Sequence, residues 1–310
     1  MINLTAYREI KVVEQLAVFL LWAIACTITL VFKGYYNQDL GVSVFVIQSL
    51  EGVKFLEALE TNSVIFWLLR ILGDSFVFNG DYLLLIYCFY IVVQSYIILC
   101  LVRYAGFYHT ALVILIVFFT VILNQMRFGI AISLMLTTHF DENESPVKRG
   151  LMWVLIALFH IFVGGFYLLY LATRKFNYLI YVFAVVALIG YSSLTILLED
   201  SRYLYYLEED AARGSFSFLL YLAIYGVAFI NLDYFHRLFF GLLLIIAGAS
   251  YSLASVSSRL SELSIIFLLV ILAQKEISTL AKLLLLFLSA GFFFYRAYNW
   301  FVLGLVPMAP

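Results

Sequence analysis

The chain has 310 residues, 65% of them hydrophobic and 12% charged, with a formal net charge of −1 and a mean hydropathy of +1.05. A soluble domain is near half apolar and a quarter charged, so these values exclude one. They also exclude a basic nucleic-acid binder, and no RNA-type aromatic motif is present.

Only helices or closed barrels can cross lipid. The apolar runs here are long and continuous, without barrel alternation. The expected fold is all-α, a polytopic transmembrane helical bundle with about nine or ten crossings and short re-entrant or interfacial helices. No Pro-, Gly- or Ser-rich linker and no internal repeat divides the chain, so residues 1–310 read as a single integral membrane domain.

Residues 1–11 are polar, and Arg8 and Lys11 place them in the cytoplasm by the positive-inside rule. Residues 12–32 form the first span. Ala23-Ile24-Ala25-Cys26 has the look of a lipoprotein cleavage site, but small residues in a spanning helix explain it, and an uncleaved anchor is expected. Residues 33–81 hold Asp39, Glu51, Glu57, Glu60, Asp74 and Asp81 against Lys33, Lys54 and Arg70, an acidic excess suited to an outer loop. Within it, 64–72 is apolar but too short to cross, so an interfacial or re-entrant helix is expected, with Thr61 or Asn62 as its N-cap.

Two spans follow, 82–102 and 108–125, with Arg103 between them on the cytoplasmic side. Residues 128–140 return as a short span. The polar link 141–149 is broken by Pro146 and reads as cytoplasmic. Residues 150–172 are either one outward span or a re-entrant pair. We favour a break at Gly164-Gly165 with His160 near the tip, because every later loop then obeys the charge rule. Residues 177–198 cross outward to a loop at 199–214, and 215–231 return to cytoplasmic His236 and Arg237. Residues 238–256 lead out to Ser257-Ser258-Arg259, 260–273 return to Lys275 and Lys282, and 283–303 make the last span.

The chemistry is expected around Asn124-Gln125-Met126-Arg127-Phe128-Gly129, which interrupts the apolar runs 111–123 and 130–136. An arginine at bilayer depth costs roughly 2.5–3.5 kcal/mol or more, so something must offset Arg127. Guanidinium stays charged and grips phosphate oxygens with a planar fork, which makes a diphosphate clamp the functional reading. An ion pair with a loop carboxylate, or snorkelling to the interface, is the structural one. Arg259 also sits between apolar runs. Its i, i+3 spacing to Glu262 makes a local ion pair the alternative to a ligand role.

His160 has long apolar runs on both sides, whereas His109, His139 and His236 lie at expected cytoplasmic ends. An imidazole can take a proton from a sugar hydroxyl near neutral pH, or simply pack. Asp39 follows the polar tract Lys33-Gly34-Tyr35-Tyr36-Asn37-Gln38 and suits a saccharide hydroxyl, an arginine partner or plain solvent. Arg202 and Arg213 in the later loop, with Gln125 and Glu262, complete the candidate substrate-binding set. Glu208-Glu209-Asp210 could hold a divalent ion, but such runs are common on surfaces, and no metal or other cofactor is expected. Cys26, Cys88 and Cys100 all lie in apolar segments, against a disulfide framework or a zinc site. There is no phosphate-binding glycine loop and no nucleophile elbow.

In layout the chain resembles the EpsG-like branch of the Wzy-type polysaccharide polymerases. Three places carry the resemblance: Arg127 in Gln125-Met126-Arg127-Phe128-Gly129-Ile130-Ala131, His160 in Leu158-Phe159-His160-Ile161-Phe162, and Arg259 before Leu260-Ser261. Asp39 sits where that family often has an aspartate after the first span. The chain departs from the pattern at Phe128, where Gln is usual; at Phe162, where a small hydroxyl residue is usual; and at Glu60-Thr61-Asn62, where Glu-Pro is usual.

The resemblance implies a fold like that of membrane-embedded (GT-C-like) glycosyltransferases. It implies a multi-pass enzyme of the bacterial inner membrane that polymerises undecaprenyl-diphosphate-linked oligosaccharides into O-antigen, lipopolysaccharide, capsule or exopolysaccharide. A membrane protein that sets chain length would be a partner. A lipid-linked oligosaccharide flippase, a membrane O-acyltransferase and a non-enzymatic assembly subunit are the alternatives.

Overall fold

The structure, a computed structural model, describes residues 4–31, 38–60, 64–75, 77–122, 126–140, 145–176, 179, 211–250 and 254–301. All regular structure among them is helical. Three of these helices contain stretches long and apolar enough to cross a membrane: Val12–Leu30, Tyr82–Ile122 and Thr279–Asn299. The chain forms two compact units, residues 1–165 with 294–310, and residues 166–293.

The first unit is built around α5 (Tyr82–Val117). Half of the Tyr82–Ile122 stretch is buried, against 17% of Val12–Leu30 in α1 (Leu4–Val31). The long central helix therefore carries the core, and α1 flanks it with an apolar face left for lipid. A straight helix from Tyr82 to Ile122 would be about 60 Å long, twice a bilayer core. Gly106 breaks it: its φ of 69° and ψ of 172° lie where a side chain is disfavoured, and a glycine has none. The break falls between the two spans expected at 82–102 and 108–125.

The segment 33–81, expected to be mainly loop, is largely helical. It holds α2 (Gln38–Ser49), α3 (Phe55–Glu60) and α4 (Val64–Gly73). The apolar helix expected at 64–72 forms; its proposed caps Thr61 and Asn62 lie outside the described residues. Arg70 explains the compaction. Its Nη1 donates to the carbonyls of Ile47 and Gln48 at 3.1 and 3.0 Å, closing the C-terminal end of α2. Asp74 at 3.5 Å and Glu51 at 3.9 Å neutralise it. Two of the acidic residues read as an outer-loop excess are thus partners of one arginine.

Beyond α5 come a π-helical turn, Phe118–Ile122, then α6 (Met126–Phe140) and α7 (Pro146–Phe159). Ser145 caps α7 through the Lys148 amide, and Pro146 supplies the first turn. α8 (Ile161–Lys175) begins in the first unit and ends in the second. The break between α7 and α8 is at His160, not at Gly164-Gly165. His160 takes an extended backbone, φ −157° and ψ 105°, while both glycines are helical. Gly164 serves packing instead. A Cβ there would lie 2.8 Å from Ala157 Cβ and 2.9 Å from Ala157 Cα, so only glycine lets α8 fold back this closely on α7. Trp153 seals the turn by donating to Gly164 O at 3.0 Å.

The second unit contains the end of α8, then α9 (Ala211–Ala228), a 3₁₀ turn at Phe229–Asn231, α10 (Tyr234–Ala249), α11 (Ala254–Ala273) and the start of α12 (Thr279–Phe301). Residues 260–272 of α11 are buried without interruption, as befits a helix that is apolar all round. α9 and α10 pack on it. Tyr221 on α9, fully buried, donates to Phe240 O at 2.7 Å, and Ser257 on α11 donates to Ala247 O at 2.7 Å. Ser257-Ser258-Arg259 was expected to be an inter-span turn. It lies inside α11, because the chain has already left α10 at Ala249 and the hydroxyls find partners from within the helix.

Candidate functional site

Arg127 and His160 both lie in the first unit, and His160 packs against Phe128, the residue that follows Arg127. Arg127 stands in the first turn of α6, half-buried, with its guanidinium carbon 5.1 Å from the ring centre of Phe66 on α4. A contact of this kind at a half-buried site contributes about 1–2 kcal/mol. A cation in the first helical turn opposes the helix dipole. An anion beside it is favoured both by the guanidinium and by the positive end of the helix dipole. The next residue, Phe128, is 1% exposed and meets the His160 ring in an edge contact at 5.0 Å. The imidazole therefore packs on Phe128, while the guanidinium of the preceding residue packs on Phe66.

The backbone around His160 is tied down. Its amide donates to Ile156 O at 2.9 Å, and its carbonyl accepts from Val163 and Gly164 at 3.0 and 3.1 Å. The imidazole is carried on a fixed corner between two helices instead of on a mobile loop.

The approach to Arg127 is also braced, by a residue that sequence reading passed over. Gln94, 1% exposed, donates to Ile122 O at the end of the π-turn and to Thr29 Oγ1, each at 3.0 Å. Its carbonyl oxygen accepts from the Cys26 thiol at 3.8 Å. One amide therefore joins α1, α5 and the irregular turn that precedes the arginine segment. π-turns often accompany function, and this one has its Ile122 carbonyl satisfied. Gln94→Leu should lower stability by about 1–3 kcal/mol, since it strands a buried carbonyl. Thermal unfolding in detergent measures this, and an unchanged midpoint would rule the brace out.

The other candidates are distributed differently. Asp39 lies in the first turn of α2 in the first unit. Arg259 and Glu262 lie on α11 and Arg213 in the first turn of α9, all in the second unit. Glu262 is 1% exposed and accepts from Ser258 Oγ at 3.4 Å; Ser258 in turn meets Ser217 of α9 at 3.3 Å. A carboxylate buried at this depth is expensive and needs hydrogen-bonding company, which these serines supply. Gln125, Arg202 and the run Glu208-Glu209-Asp210 lie outside the described residues.

Comparison with protein-family models, with curated proteins and with solved structures gives no match.

Proposed function

We propose that the chain is a glycosyltransferase of the bacterial inner membrane, a multi-pass polymerase in a GT-C-like arrangement with about nine or ten crossings. It would join undecaprenyl-diphosphate-linked oligosaccharide units into a surface polysaccharide at the outer face of that membrane. The observation that supports this most is the packing of His160, at a helix corner, against Phe128, the residue that follows Arg127 at the start of α6 in the same unit.

The growing chain on its lipid diphosphate is the donor, and a single repeat unit on the same lipid is the acceptor. The acceptor hydroxyl oxygen attacks the anomeric carbon, and the bond from that carbon to the diphosphate oxygen breaks. His160 takes the hydroxyl proton. Arg127 neutralises charge developing on the departing diphosphate. Asp39, in the same unit, positions the saccharide. Because the lipid diphosphate leaves readily, one displacement with inversion suffices and no protein nucleophile is used.

Purified protein reconstituted with lipid-linked repeat units should yield a ladder of polymer. Translocated but unlinked units would favour a flippase, and dependence on an acetyl donor would favour an acyltransferase. The ladder should persist in EDTA, since a cationic side chain does the neutralising. Loss in EDTA with rescue by a divalent ion would reject that part of the mechanism.

A further inference from the structure

A hydrogen-bonded chain in the second unit takes no part in the proposed transfer. It starts at Asp233, the N-cap of α10, which accepts from the His236 amide at 3.0 Å. Both carboxylate oxygens also lie against His236 Nδ1, at 2.8 and 2.7 Å, and Lys275 Nζ donates to Oδ2 at 3.2 Å. With two carboxylate oxygens so close, Nδ1 carries the proton and Nε2 of the neutral ring is an acceptor. The Tyr170 hydroxyl lies 3.2 Å from Nε2 and donates to it.

Three separate pieces of the unit meet here: α8 through Tyr170, the start of α10 through Asp233 and His236, and the α11–α12 connection through Lys275. We propose that Asp233, His236, Tyr170 and Lys275 form an acid-released latch holding α8 and the α11–α12 connection to the start of α10.

The neutral imidazole satisfies every group in the chain. A second proton turns Nε2 from acceptor to donor, so it then faces the phenol O–H with a hydrogen of its own. The phenol oxygen, which also shares a hydrogen bond with Arg174, then faces an added donor, and the phenol hydrogen loses its Nε2 acceptor. Tyr170 is 1% exposed and packed edge-on by Phe235, Phe239 and Phe267 at 5.7, 5.1 and 4.9 Å.

The surrounding charges point the same way. Lys275 and, from α8, Arg174 oppose an imidazolium; Asp233 favours one but is shared with Lys275. α9 contributes the Tyr225 hydroxyl, which is engaged with Arg237 O at 2.7 Å. Burial holds the His236 imidazole below its ordinary value, Asp233 pulls it upward, and Lys275 and Arg174 add to the depression. A group depressed on folding contributes stability above its unfolded value, near 6.5, that is lost as pH falls. Asp233 does not compete in that window. Burial pushes its carboxyl up, but the His236 amide and ring, with Lys275, outweigh this and hold it at about 2.

The full chain in lipid nanodiscs should be followed by hydrogen exchange, corrected for intrinsic rates, between pH 7.5 and 5. Protection across residues 229–238 should fall about tenfold per pH unit below the midpoint. In His236→Gln the acid step should vanish. Lys275→Gln removes an opposing charge and frees Asp233, so it should move the midpoint to higher pH. Acid-independent protection in the parent protein overturns the latch. So does an intact step in His236→Gln, or an unmoved or lowered midpoint in Lys275→Gln, which decides the matter even if the histidine variant does not fold.

Discussion

Replacing Arg127 by alanine should abolish the polymer ladder while leaving single repeat units on the cell surface. The guanidinium is the cation placed at the start of α6, where an anion gains both from its fork and from the helix dipole. Removing one donor aimed at developing charge typically costs 10²- to 10³-fold in rate, on the order of 3–4 kcal/mol. Lysine should recover little, because a point charge cannot grip two phosphate oxygens in a plane. His160→Ala should cost a comparable factor by removing the base. The check is complementation of a deletion strain, with gel analysis of surface polysaccharide and immunodetection of each variant in the membrane. Loss of the Phe66 contact alone should cost only about 1–2 kcal/mol of stability, too little to empty the membrane of protein. An Arg127→Ala strain that still makes a full ladder would sink the diphosphate clamp, and with it the enzyme reading.

The second large effect is expected at a residue that touches no substrate. Gly164→Ala inserts a methyl group 2.8–2.9 Å from Ala157, against backbone that cannot swing aside. Overpacking of this sort costs about 1–3 kcal/mol. Part of that penalty would fall on the corner carrying His160, since the Trp153 hydrogen bond to Gly164 O and the His160 carbonyl bond to the Gly164 amide must lengthen together. Activity should drop with stability. The neighbouring Gly165 supplies the control. A Cβ there meets nothing within 4 Å, so Gly165→Ala should be neutral or raise stability by a few tenths of a kcal/mol through helix propensity alone. Equal effects at the two glycines, in thermal unfolding and in ladder formation, would refute the close-packing account.

Much of the first unit was legible from periodicity and breakers. The apolar runs on either side of Arg103 announced two helices, and the structure separates them at Gly106. Ser145-Pro146, read as part of a proline-broken link, instead starts α7, because a proline needs no amide partner in the first turn and a serine supplies one to the third. Arg127 and His160 stood out as polar groups in apolar surroundings; Arg127 packs on Phe66 and His160 on Phe128.

Local chemistry misled in three places. Paired glycines read as a break, yet they sit inside a helix where another helix comes too close for a side chain. A serine–serine–arginine step read as a turn, yet its hydroxyls bond within helical packing. His236 read as one more histidine at a cytoplasmic end, since its hydrogen-bond partner Tyr170 is remote in the chain and Lys275 lies further still.

Composition and run length by themselves determined that the described chain is helical and apolar enough to enter a bilayer. Those properties follow from transfer free energy and backbone hydrogen bonding, which each segment carries independently of its neighbours. Only the tertiary structure decided which polar groups share a partner: Gln94 with Ile122, Arg70 with the end of α2, His236 with Tyr170 and Asp233 with Lys275. Such pairings depend on distances across packed helices, and side-chain spacing along one helix holds no record of them.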